Sequence, residues 1–268
     1  MAPPGASLDE VLADLGAEQE DLDRLVAGLD EAGWDRTTPA EGWAVRDQIS
    51  HLAFFDDAAV MAIDDPDAFS AMAEAAMTSD EDPMAEHLRQ GRHMPGPDVL
   101  EWWRTARAAL LARAADLDPR SRIVWFGPPM GALSFLSARL METWAHGQDV
   151  ADALGVVRVP TARLRHVAHL GVRARPFSYA VRGRTVPEGS VFVSLDAPDG
   201  HGARWTWGEE GPDAVRGSAE EFCLVVTQRR NLADTALVVE GPLAEDWMAI
   251  AQAFAGPPGP GRPPRAGR

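Results

Sequence analysis

The sequence contains no lysine. All 25 of its basic residues are arginine, set against 41 Asp and Glu, for a formal net charge of -16. Neutralising a phosphate backbone takes a basic surface, so this balance argues against nucleic-acid binding, and equally against docking on anionic membranes. Cysteine is nearly absent. Cys223 stands alone, which excludes an intrachain disulfide framework, and its apolar setting EFCLVV reads as that of a buried small hydrophobe rather than a nucleophile. No run approaches the roughly 18 apolar residues of a membrane span. The opening MAPPGASLDEVLADL has neither the basic start nor the continuous apolar segment of a signal peptide. A soluble, cytoplasmic protein is expected.

What is present is enough apolar material for a real core: 46% of 268 residues, sufficient for one large domain or two ordinary ones. Residues 7 to 31 place Leu8, Val11, Leu12, Leu15, Leu22, Leu25, Val26 and Leu29 at three- and four-residue steps, the mark of an amphipathic helix. Ser7 and Glu10 form a capping box at its start, and Gly33 closes it. After the breaker-rich loop TTPAEGWA, a second helix is expected over 44–63 with Val45, Ile49, Leu52, Ala59 and Ile63 inward. Residues 64–96 are acidic, Met-rich and punctuated by Pro66, Pro83 and Pro95, which predicts an excursion with one or two short helices. Further helices over 97–116 and 133–154 complete a set of four, and four main helices suggest a bundle.

After Gly155 the pattern changes. VFVSLD (191–196), ARWTW (203–207) and TALVVEG (235–241) read as strands, with 213–217 a weaker fourth. Helices are expected from Ser218, capped with Glu221, to Arg230, and from Pro242 to Ala255. The predicted class is α+β: a helix bundle over 1–157, an α+β domain over 158–255, and a disordered Pro/Gly/Arg tail over 256–268.

The chemistry sits in the histidines. His87, His93 and His201 read as exposed. His166 and His169, three residues apart in LRHVAHLGVR, suggest a helix with one ring buried and one exposed, or less readily a second metal site. His51 differs, because it falls among the inward positions Ile49 and Leu52 and needs a polar partner there. Asp47, one turn earlier, supplies one account. The other comes from ETWAHGQDVADALG, where Glu142 and His146 share a helix face at i,i+4. One His from one helix and a Glu-x-x-x-His pair from another make a three-ligand divalent-metal set, although i,i+4 Glu/His pairs are common without metal. Trp34 and Trp43 either pack in the core or border a pocket, and one of Trp102 and Trp103 should face the bundle interior.

GWAVRDQISHLAFFDDAA (42–59) and ETWAHGQDVADALG (142–155) resemble the two signature segments of DinB-like metalloproteins. They are closest to the mycothiol-dependent maleylpyruvate isomerase group and its actinobacterial metal-binding relatives. The resemblance implies a DinB-like four-helix bundle followed by a smaller α/β domain related to sterol-carrier proteins. It implies His51, Glu142 and His146 as ligands of a divalent metal, most readily Zn2+, and mycothiol or a similar thiol as cosubstrate. It also implies a functional arginine in LVVTQRRNL, at Arg229 or Arg230. Two His and one Glu would leave a position open for a thiol, with Asp47 and Asp149 as partners behind the ligands. The expected function is therefore metal- and thiol-dependent S-transfer or cis–trans isomerisation of a small electrophile. The alternatives are a non-catalytic metal-binding protein and, more remotely, a carrier of small apolar molecules.

Overall fold

The computed structural model describes residues 5–78, 85–198, 200 and 202–265. The chain forms two compact units, Gly5–Arg158 and a second beginning at Val159.

The first unit is helical. Helix α1 (Leu8–Val26) is capped by Ser7, whose hydroxyl accepts from the Glu10 backbone N–H, and buries Leu8, Val11, Leu15, Leu22 and Val26 along one face. It ends five residues before the expected 31. Asp30 caps a new short helix, α2 (Glu31–Trp34), by accepting from Gly33 N at 2.9 Å, and a residue cannot cap one helix while continuing another. Helix α3 (Val45–Asp64) follows, then α4 (Pro66–Thr78) and α5 (Ala85–His93) in the acidic excursion, and α6 (Gly96–Ala115). A two-stranded antiparallel hairpin, β1 (Arg122–Trp125) and β2 (Gly127–Gly131), leads into α7 (Ala132–Leu154). The hairpin was not foreseen, because Pro128 and Pro129 remove donors from the second strand and mask its pattern. Helix α3 packs on α6 and α7, and α1 on α7 and α6, so the four long helices close a ring. Ile49, Leu52, Val99, Trp103 and Val150 lie in its core with Leu22 and Val26. Of the tryptophan pair, Trp103 is the one that faces inward.

The second unit contains α8 (Leu164–Arg173), α9 (Arg175–Ala180), β3 (Phe192–Asp196), β4 (Arg204–Trp207), β5 (Ala214–Ser218), α10 (Ala219–Val226), β6 (Val238–Glu240) and α11 (Pro242–Met248). The sheet order is β4-β3-β5-β6, with β3 and β5 parallel and the outer pairs antiparallel. Val193, Leu195 and Val215 face Phe222 and its neighbours as a buried layer. Both helices of this half are shorter than expected. After α10, Gln228 takes a left-handed conformation, φ 58°, and the N–H groups of Arg229 and Arg230 turn back to Leu224 O at 2.7 and 3.1 Å. For a residue other than Gly, that conformation costs roughly 1–2 kcal/mol and breaks the helix before Arg230. After α11, Gln252 N donates to Ser178 Oγ and Ala253 N to Val226 O, tertiary bonds that replace the helical ones.

Residues 256–265 take no regular structure, as their composition dictates, but they are not the free tail expected. Asn231 donates to Arg262 O at 2.8 Å, Arg262 donates to Arg229 O at 3.0 Å, and the Arg265 N–H meets the Asp234 carboxylate at 3.0 Å. Proline and glycine fail to make helix or sheet, yet their carbonyls still accept side-chain donors. Residues 266–268 lie outside the described residues.

Candidate metal centre

The centre is set by the way α3 begins. Asp47, in the first turn of α3, accepts from Ala44 N at 2.8 Å and so caps the helix through its side chain. Arg92 then takes both Asp47 oxygens, with Nε to Oδ1 at 2.8 Å, while also donating to Gly42 O at 2.9 Å. Gly91 makes this possible: a Cβ there would lie 2.4 Å from Ser50 Cβ, so only glycine lets α5 approach α3 closely enough. The sequence reading of Asp47 as the partner of His51 is thereby corrected. Its carboxylate serves the helix end and Arg92.

Beside it, buried Arg46 holds Asp35 at 2.8 Å, Glu31 at 2.9 Å and Met94 O at 2.6 Å. The Gly96 N–H and then Arg46 hold the Glu31 carboxyl below its usual range. These bonds pin the loop carrying Trp43. Trp43 is half-buried and stacks on His146, with ring centroids 5.9 Å apart and planes 16° apart, and is tilted against His51 at 5.3 Å. It also borders a cavity of about 380 Å³ lined by Asp35, Thr37, Arg46 and Arg92. Trp34, by contrast, is plain core, 1% exposed.

His51 projects from α3 and Glu142 and His146 from α7. One ligand atom of each lies within 4.8 Å of the other two. Both imidazoles are buried and Glu142 is half-buried. The ring centroids of His51 and His146 are 4.4 Å apart, and His146 Nε2 lies 3.3 Å from Glu142 Oε2.

A residue that sequence reasoning missed fixes the protonation of His146. The Thr38 hydroxyl donates to Trp43 O at 2.9 Å, so its lone pair accepts from Gln48 Nε2, also at 2.9 Å. That orients the Gln48 amide, whose Oε1 faces His146 Nδ1 at 2.5 Å. An amide oxygen only accepts, so Nδ1 carries the hydrogen. A neutral His146 then turns the lone pair of Nε2 toward the Glu142 carboxylate. Two acceptors this close need a hydrogen or a cation between them: a proton on Nε2, a proton on the carboxyl, or a metal ion. The donor set, two imidazoles and a carboxylate, fits a divalent ion. Gln48 lies three residues before His51 on the same helix face, a spacing that could have flagged it.

The family model for the mycothiol maleylpyruvate isomerase N-terminal domain matches residues 15–151, which include all three of these side chains. The chain belongs to this family. Uncharacterized proteins of Mycobacterium tuberculosis strains CDC 1551 / Oshkosh and H37Rv are each 43% identical over 263 residues. The match covers 98% of this chain and 100% of each relative. Among solved structures, the mycothiol-dependent maleylpyruvate isomerase matches with a TM-score of 0.57 at 18% identity, over 89% of this chain and 96% of the other. A mutant of that enzyme matches at 0.55 and 18%, over 84% and 90%. At this identity the likeness establishes the fold: a helical N-terminal part followed by a small α/β domain.

Asp149 is buried on α7. Arg229 donates to Thr227 O at 2.7 Å and lies over the Phe254 ring. Arg230 borders a cavity of about 110 Å³ together with Arg182, Arg262, Gln228 and Asn231. His166 and His169 are both buried, 3% and 5% exposed, which corrects the expectation of one exposed ring. The aromatic partner explains it: His169 Nδ1 accepts from Trp207 Nε1 at 2.9 Å. His93 is exposed, its ring at Arg89 O. His201 and the side chain of His87 lie outside the described residues. No helix is long and apolar enough to cross a membrane among the described residues.

Proposed function

We propose that this protein holds one divalent metal ion, most readily Zn2+, through His51, Glu142 and His146, and uses it with a low-molecular-weight thiol of the mycothiol type. The observation that supports the reading is the convergence of His51, Glu142 and His146, with His146 Nε2 3.3 Å from Glu142 Oε2 and Nδ1 turned to Gln48. When bound, the ion would lower the pKa of a thiol entering its open position and present it as thiolate. The chain's own residues do the rest. Gln48 fixes the His146 tautomer, Trp43 restrains the orientation of both rings, and the Asp47–Arg92 pair holds the start of α3, from which His51 projects.

The reaction class is thiol addition to a small electrophile. A C–S bond forms, the double-bond pair shifts toward a conjugated carbonyl, and the proton lost by the thiol completes the adduct. Retention of sulfur gives S-transfer. Rotation and loss of the thiol give cis–trans isomerisation. The structurally similar protein is named a mycothiol-dependent maleylpyruvate isomerase. Of the two arginines that the resemblance implies, we assign an anion-binding role to Arg230 rather than Arg229. Support for this choice comes from its cavity, shared with Arg182 and Arg262, and from the suitability of guanidinium for carboxylate.

The test is elemental analysis of the purified protein followed by mycothiol consumption assays with maleylpyruvate, epoxides and enones. About one equivalent of metal with metal-dependent thiol consumption is expected. Tight metal binding with no acceleration for any electrophile would overturn the enzyme reading in favour of a metal-binding protein.

A further inference from the structure

The two histidines do not sit in a generic polar pocket. They lie in a line of aromatic rings. On one side is Trp43. On the other, Phe55 stands one turn after His51 on α3, with ring centroids 4.6 Å apart. Phe55 in turn meets Phe126 at 5.7 Å and Trp125 at 6.3 Å, both edge-on. Beneath these rings the core is already closed: Phe69 and Phe135 are each 1% exposed, Phe69 stacks on Trp125 at 5.2 Å, and Phe135 meets it at 5.1 Å. Phe55, Trp125 and Phe126 nonetheless remain half-exposed above that floor.

The hairpin is built to present them. Trp125 ends β1, and Phe126 is the single residue before β2 begins at Gly127, in the turn of the hairpin. Here Trp125 and Phe126 both reach Phe55 and Phe69. The register of β1 on β2 slips between Ile123 and Trp125, where Pro128 and Pro129 of β2 stand opposite Val124 alone. Bulges re-aim side chains and recur beside active sites. Both rings join one patch, continuous with the ring of a candidate metal ligand.

From this we infer that the electrophile handled at the centre carries an aryl or extended apolar group, seated against Phe55, Trp125 and Phe126 while its reactive carbon lies toward His51 and Glu142. The inference rests on the thiol-addition reading above and adds a substrate class to it. The patch is three rings wide and adjoins the centre, which suits one ring of a small molecule rather than a macromolecular surface. Edge-to-face and offset contacts with such a ring each add to simple burial.

The experiment compares two enones that differ only in a ring, 4-phenylbut-3-en-2-one and but-3-en-2-one, with mycothiol and the metal-loaded protein. Each rate is expressed relative to the uncatalysed reaction. In parallel, 4-phenylbutan-2-one, which cannot react, is titrated by heat-stability shift and tryptophan fluorescence. The expected result is a phenyl preference in rate enhancement of about tenfold or more, and saturable binding of the inert ketone. Phe126→Ala should collapse both while metal content stays at the wild-type level. Phe126→Leu, which keeps apolar volume and guards against a misfolded Ala variant, should retain an intermediate preference. Equal acceleration of the two enones would overturn the inference and leave the thiol reading standing. So would a phenyl preference untouched in both variants. Binding of the inert ketone that depends on Phe126, with no turnover of either enone, would uphold the aromatic site and overturn the thiol reading instead.

Discussion

Gln48 Oε1 lies 2.5 Å from His146 Nδ1, joining two residues that are 98 positions apart in sequence and stand on different helices of the bundle. The bond is the last of a directed series running from the Trp43 carbonyl through the Thr38 hydroxyl and the Gln48 amide. Each link has only one polarity open to it, so the series determines which imidazole nitrogen is available to Glu142 and to a metal.

Partners of this kind behind a metal-ligating histidine are typically worth about 10–100-fold in metal affinity. Gln48→Ala should therefore weaken Zn2+ binding by about that factor, measured by competition with a chromophoric chelator. Gln48→Glu restores an acceptor for Nδ1–H and should recover much of the loss. If Gln48→Ala binds Zn2+ as tightly as wild type, the tautomer has no bearing on the site.

The three candidate side chains were legible in the sequence and the residues around them were not, for a physical reason. His51, Glu142 and His146 are rare residue types at apolar positions, and i,i+4 spacing places two of them on one face. Gln48 and Thr38 are ordinary polar residues whose role appears only when a loop and two helices meet. Asp47 misled because a carboxylate one turn from a histidine also stands at the first turn of its helix, where the unpaired backbone N–H groups compete for it. Helix periodicity gave the four long helices to within one or two residues, apart from the end of α1, where Asp30 restarts the chain. The bulged hairpin escaped because prolines and a register slip erase alternation.

Removing a ligand should cost more than removing its partner. His146→Ala deletes one of three protein donors, so bound metal should fall further than the roughly 10–100-fold expected for Gln48→Ala, and thiol-dependent activity should fall with it. The bundle has its own apolar core around Ile49, Leu52 and Trp103, so far-ultraviolet circular dichroism should remain native. Full activity in the metal-depleted variant would mean that the metal is not part of the chemistry.

A second buried polar pair lies deeper in the bundle. Asp56 is fully buried and its Oδ1 accepts from Arg139 at 2.9 and 3.2 Å. Burial pushes the Asp56 carboxyl up, and the Arg139 charge and hydrogen bonds only partly offset that. Arg139→Met should strand an unpaired carboxylate and destabilise the protein by about 3–5 kcal/mol in urea unfolding, whereas adding Asp56→Leu should recover most of it. A double variant no more stable than the single one would show that the pair's surroundings, rather than the stranded charge, set the cost.

The anion-binding role proposed for Arg230 can be tested apart from the metal. Arg230→Ala should leave Zn2+ content unchanged and raise the KM for an anionic acceptor by about 10- to 150-fold, the 1.5–3 kcal/mol scale of a hydrogen bond to a charged group, with little effect on a neutral one. An equal effect on neutral and anionic acceptors would remove Arg230 from anion recognition.

The last prediction concerns pH and the second unit. His169 sits 5% exposed with Nδ1 accepting from Trp207, so protonation there would both bury a charge and break that bond. Burial, aided by the charges of Arg173 and His166, lowers its pKa from the usual 6.5 to about 4. The folded pKa lies below the unfolded one, so the unfolded chain binds the proton more readily. Stability from this group is therefore fully present above pH 6.5 and is lost as pH falls toward 4. The loss over that window should be on the order of 3 kcal/mol. His169→Gln has no proton to gain, so it should flatten this part of the stability–pH curve. Urea unfolding of both proteins at pH 7 and pH 4.5 measures it: parallel losses in wild type and variant would place the acid sensitivity elsewhere, and a loss confined to the wild type would assign it to His169.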